Sequence, residues 1–238
     1  AAAIAAGAVG VGVGIALTIN RTRVDTFIGQ GVTIGSASAR LTVSTDYEAH
    51  AQAFTVSFAA GGVAVGATVA IVLNMLDSNT FIGTIQNGSD AVTGSVVRDT
   101  SNAVVMGSIT VRSVQVIADS AGKVTIYGVG VSGGAVAVNG IVALGFNFVT
   151  NIAAIASANI TATESSSVIA IMTGNTTVTT TALVVGGVAV GATVAIGFVR
   201  TINSAYVDTT GAAMSFGALT VSAGTMQSPS NSQAIVTV

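Results

Sequence analysis

Cysteine is absent from the 238 residues, proline occurs once (Pro229) and histidine once (His50). Without cysteine there is no disulfide staple and no thiol chemistry. Charge is scarce as well: seven Lys and Arg and nine Asp and Glu make up 7% of the chain, where an ordinary soluble domain carries about 25%. The net charge of -2 excludes a phosphate-tracking surface, because nucleic-acid binders cluster Lys and Arg. Salt-bridge networks are excluded as a main source of stability for the same reason. The chain opens AAAIAA, with neither an initiator Met nor a basic leader region. It therefore reads as a segment of something longer, with no signal peptide in view.

What the chain has in quantity is glycine, with 29 residues, and apolar side chains, at 51%. They are arranged with a period of two. In Gly186–Phe198 (GGVAVGATVAIGF), Val188, Val190, Ala192, Val194, Ile196 and Phe198 alternate with Gly187, Ala189, Gly191, Thr193, Ala195 and Gly197. Successive side chains of a strand point to opposite faces, so one face is bulky and the other small. The first eleven residues of this stretch recur letter for letter at Gly61–Ile71.

Four copies of the unit start near Gly7, Gly61, Gly134 and Gly186, at offsets of 54, 73 and 52 residues. The repeat is thus about 52–54 residues, and the second copy carries an insertion near residues 84–103. After each Gly-Val stretch comes a landmark residue: Asn20, Asn74, Asn147 and, in the fourth copy, Val199. A short motif follows at Thr26-Phe27-Ile28-Gly29, Thr80-Phe81-Ile82-Gly83, Ala153–Ala156 and Ala205–Asp208. A second strand is aligned at Leu41–Ser44, Ile109–Arg112, Ile160–Thr163 and Leu219–Ser222.

A unit of this kind cannot bury its own apolar face alone, so the copies are expected to stack. The fold expected is all-β, a parallel β-solenoid (β-helix) of four turns. Thirteen residues of unbroken alternation leave no place for a corner, which favours one wide turn per repeat over three narrow ones. The bulky face is expected to fill the core. The small face (Ala64, Gly66, Thr68, Ala70, Ala189, Gly191, Thr193, Ala195) is expected to dock on a second sheet or on a neighbouring fibre. Ala1–Ile19 and Val124–Thr163 are long enough and uncharged enough to raise a membrane helix, apart from their period of two; no membrane span is expected.

Several residues are candidate sites. Asp46, Glu48 and His50 share one strand face and could ligate a metal or cleave a glycoside. The same phase continues through Thr42, Ser44 and Gln52, however, and reads as a solvated face. Thr177, Thr179 and Thr181 would make an ice-binding ladder only if neighbouring turns repeated them. Phe27, Phe81 and Tyr206 either stack on sugars or plug a corner of the core. Asn20, Asn74 and Asn147 read as a hydrogen-bonded ladder at a turn. No phosphate loop, zinc spacing or Ser/His/Asp set occurs, so neither cofactor nor enzymatic activity is expected.

With the GGVAVGATVAI stretch, the Asn, the TFIG-type motif and the LTVS-type strand laid out, nearly the whole chain resembles leukotoxin-type filamentous adhesins, related in style to filamentous haemagglutinins. The resemblance implies a secreted, cell-surface β-solenoid fibre with no catalytic residues in its repeats. The partners implied are further copies of the same array and, in an adhesin, a host glycan or protein met at rim loops.

Overall fold

A computed structural model describes residues 1–87, 90–92, 100–101, 106–227 and 231–237. All regular elements among them are strands: β1 (Ala2–Ile28), β2 (Ile34–Gly83), β3 (Ile85–Asn87), β4 (Asp90–Val92), β5 (Ser108–Ala156), β6 (Asn159–Asp208), β7 (Met214–Gln227) and β8 (Asn231–Thr237). The long strands lie parallel in the order β1-β2-β5-β6-β7, with β8 continuing on β6. This is the all-β, parallel β-solenoid architecture that the alternation predicts. Each residue pairs with its counterpart one repeat away, as in Val9 with Val63, Val63 with Val136 and Val136 with Val188. One repeat is therefore one turn.

A 50-residue strand such as β2 would run about 165 Å if straight. It folds back on itself instead. Thr45 and Thr80, both in β2, meet through their hydroxyls at 2.8 Å, and in β5 Ser120 donates to Asn151 Oδ1 at 3.1 Å. Each turn thus has two arms, an outgoing arm after the glycine bend (62–83 in the second turn) and a return arm (34–60 in the first). The solenoid is a flat, two-layered slab.

The bend is made by stacked glycines. A Cβ at Gly61 would fall on the carbonyl oxygen of Gly7, one at Gly134 on that of Gly61, and one at Gly186 on that of Gly134. Only glycine lets the backbones approach so closely, which accounts for a glycine at this place in all four units. At the opposite end of the slab, Gly31 and Gly211 turn the chain with φ of 78° and 69°.

The layers converge near the bend. A Cβ on Gly12 would lie 2.9 Å from the carbonyl oxygen of Phe58 in the facing arm. Most inward positions there are small, with Asn139 and Ile141 the exceptions, and this reverses one expectation. The small face points inward: Ala64, Ala70 and Val72 are fully buried, and Gly66 and Thr68 are buried with them. The bulky face is outside, with Val9 66%, Ile15 66% and Val188 58% exposed. Farther from the bend the interior accepts branched residues, and Ile82, Val114, Val116, Ile155 and Val168 form the main apolar cluster.

The return arms carry a register slip in each turn, between Ser36 and Arg40, Val111 and Gln115, and Ala162 and Ser165. One alignment is corrected by it. Leu41 pairs with Val114 and Leu219 with Ser166, whereas Ile109 and Ile160 fall in the column of Ile34 and Met214. Two similar strand segments lie on either side of the bulge, and the sequence pattern merges them.

Candidate interaction surfaces

The inward face holds the eight residues singled out as a packing face. In the second turn they press against the return arms: Ala70 belongs to the cluster of Ala51, Ala53, Val124 and Ile126. In the fourth turn, at the edge of the described stack, Ala189, Gly191, Thr193 and Ala195 are only half-buried. The surface on which they dock is the second layer of their own chain.

The asparagines lie on this same face, inside the slab and away from the corners, so they are not at a turn. Asn20 Nδ2 donates to Asn74 Oδ1, and Asn74 Nδ2 to Asn147 Oδ1, each at 2.9 Å. Asn147 Nδ2 then crosses the interior to the carbonyls of Gly122 (2.7 Å) and Asn175 (3.0 Å). Val199 cannot continue the ladder. Four residues further along, a second pair takes over: Asn151 Nδ2 reaches Asn203 Oδ1 at 3.1 Å, and Asn203 Nδ2 reaches the carbonyls of Ala170 and Gly224. Sequence reasoning missed this pair, although its 52-residue spacing equals that of Gly134 and Gly186.

Phe27 and Phe81 stack with centroids 5.0 Å apart and planes 8° from parallel. They lie on the outer face. Phe81 is nonetheless fully buried, packed with Ile85, Ile152 and Ala154 and flanked by Tyr206. The base of the insertion covers the outer face here, so Phe81 plugs the junction between slab and insertion. Ala154 interrupts the aromatic column between Phe81 and Tyr206. Burial raises the Tyr206 phenol above its ordinary pKa, with a smaller contribution from Asp208. Of the insertion, residues 88–89, 93–99 and 102–105, including Arg98 and Asp99, lie outside the described residues.

Asp46, Glu48 and His50 project from the polar outer face of a return arm and are exposed. His50 Nε2 lies 3.2 Å from Thr125 Oγ1. Among the described residues, no group of three or more His, Asp or Glu is placed to hold a metal ion. Thr177, Thr179 and Thr181 also face outward, but beside Thr125, Tyr127 and Val129, so no threonine array forms. The return-arm bulges open a polar cleft of about 450 Å³ lined by Arg40, Ser113 and Glu164. Glu164 pairs there with Arg112 at 3.5 Å.

The two outer faces of the slab therefore differ in where their charges lie. The outgoing face carries no charge over Val9–Ile19 and its counterparts, and then Arg21, Arg23, Asp25, Asp77 and Arg200. The return face carries Asp46, Glu48, His50, Asp119 and Lys123 away from the bend and the exposed, uncharged Phe54, Phe58, Tyr127, Leu183 and Val185 near it. The slab also has two open edges, the arms of the first and fourth turns, whose outward strand sides have no pairing partner among the described residues. No described helix is long and apolar enough to cross a membrane. No protein-family model, no curated protein and no solved structure matches the chain.

Proposed function

We propose that the chain is a structural segment of an extracellular, cell-surface filament, extended by strand pairing at its two open ends. The observation that carries this reading is the identity of the columns. Val188, Val190 and Val194 of the last outgoing arm stand in the columns of Val9, Val11 and Ile15 of the first. A further copy meets at one edge the same succession of side chains that the chain already stacks internally. Unpaired parallel edges of this length template addition unless they are blocked by proline, charge or a covering loop.

The test is electron microscopy of the purified chain with fibre diffraction, which should give filaments with a meridional spacing of about 4.8 Å. Ala16→Lys and Ala195→Lys place an inward-pointing charge in each terminal turn, where it reaches water only while the end stays free. The double variant should remain folded and form no filaments. Filaments of undiminished length from it, or discrete particles from the unaltered chain, refute the reading.

A second reading is an adhesin module that binds a host glycan or protein through its rim. It is supported by the anchoring of the insertion on Phe81 and Ile85, which fixes an added segment at one end of the slab. Deleting residues 86–105 and measuring adhesion separates the two readings: a scaffold keeps assembling and an adhesin loses its ligand.

A further inference from the structure

We infer that the outgoing outer face is a pairing surface for a second copy of this chain, joining two slabs back to back. The inference rests on the filament reading only for its setting, since the surface is separate from the open edges. Four observations carry it.

The face is apolar throughout and too large to be incidental. From Val9 to Ile19 it runs about 33 Å along each arm and about 19 Å across four turns. That is about 600 Å² per partner, at the lower bound of a specific interface and at the upper end of the largest apolar patches that monomers leave in water.

It is also grooved. Ala67, Gly140 and Ala192 form a column of small residues across the second to fourth turns, between a column with Val138 and Val190 and one with Val142 and Val194. The resulting furrow, about 240 Å³ and lined almost wholly by carbon, runs along the solenoid axis and stops at Val13, its counterpart in the first turn. The valine columns beside it are ridges of the same direction and spacing. A second copy turned to face the first offers a ridge to each furrow, the interdigitation by which stacked sheets pack about 10 Å apart.

The occupant is specified by charge. Over these six outward columns the face holds no Lys, Arg, Asp or Glu, so it offers nothing to a charged partner. The return face near the bend is uncharged as well, with Phe54, Phe58, Tyr127, Leu183 and Val185 exposed, but the furrow lies on the outgoing face. Pairing through the outgoing face alone closes after two copies, as an isologous interface does.

Finally, the furrow is not required by the chain itself. An added Cβ at Gly140 meets nothing within 4 Å, so internal packing does not demand glycine there.

The experiment uses the full chain carrying Ala16→Lys and Ala195→Lys, which removes end-on growth, and follows sedimentation equilibrium over a range of concentrations. We expect a discrete dimer. Gly140→Ile fills the furrow, and Val138→Lys with Val190→Lys charges the ridges. Each should weaken dimerisation by about tenfold or more while leaving the circular dichroism spectrum of the monomer unchanged and its melting temperature no lower. A monomer at all concentrations, or variants that dimerise like the parent, overturns the inference. So does flotation of the parent with phosphatidylcholine vesicles without dimerisation, which assigns the face to lipid. Discrete particles from the unaltered chain, with the dimer retained in the double variant, count against the filament reading alone.

Discussion

Asn74 donates its side-chain amide to Asn147 at 2.9 Å, and neither residue has any exposed surface. Asn74 also accepts from Asn20 in the turn before. The middle of the slab is thus threaded by amides satisfied by one another, by carbonyls of the facing arm and, at Asn20, by the Thr22 hydroxyl. Asn74→Ala would leave the Asn147 acceptor without a partner in the interior, and the Asn20 donor without one in the half-buried first turn. The expected loss is about 1–3 kcal/mol, mainly from the one fully buried orphan, read as a lower midpoint in urea unfolding. An unchanged midpoint would show that the ladder contributes nothing net.

Two glycines in the same repeat should behave in opposite ways. Gly134→Ala drives a Cβ onto the Gly61 carbonyl. Rigid backbone cannot yield there, so the variant should lose about 3 kcal/mol or fail to fold. Gly140→Ala meets open space and should gain about 0.5 kcal/mol from reduced unfolded-state entropy. Equal midpoints for the two variants would contradict the stacked bend.

Asn139 is the misfit of its column. Its neighbours in register are Gly66 and Gly191, and its amide is buried with both polar atoms unpaired. Asn139→Ala removes groups that lost water without regaining a partner, so stability should rise by about 1–2 kcal/mol. A destabilised variant would mean that the amide is satisfied in solution.

Asp208 accepts from the hydroxyl and the backbone N–H of Thr210, at 2.6 and 2.9 Å. These bonds, the hydroxyl first, hold its carboxyl below the usual carboxylate range. A depressed folded-state pKa stabilises the protein above the unfolded-state value, and that stabilisation is lost as pH falls through the folded-state value. Thr210→Ala should move the Asp208 titration, followed by NMR, up toward its ordinary position and flatten the acid limb of stability. An unmoved titration would remove the hydroxyl as the cause.

The repeat, its register and the wide turn were legible because the copies are nearly verbatim: Gly61–Ile71 and Gly186–Ile196 are identical, and their columns stand in register through Val63, Val136 and Val188. Which face turns inward was not legible. Bulk favours Val and Ile inside, but the glycine bend sets a gap near Gly12 and Gly66 that favours small side chains, and no local pattern encodes the width of a gap. The landmark asparagines were legible as a column, since Asn20, Asn74 and Asn147 keep their offsets. Their place inside the slab was hidden, because an Asn in an apolar stretch ordinarily signals a turn. The bulge slips were hidden for a related reason: Leu41 and Ile109 each begin a plausible strand, and only pairing shows that they occupy different columns.

The nested glycine corners also limit how such a chain can change in length. A carbonyl seated beneath the next turn's glycine blocks sliding by a residue or two, so small insertions and deletions within the arms should be rejected. Gains and losses are confined to whole turns, or to places such as residues 84–103 where extra chain leaves the stack and rejoins it. The molecule therefore grows in discrete steps, each adding one strand spacing of about 4.8 Å at the expense of some fifty residues, and thickness is its most tightly quantised dimension.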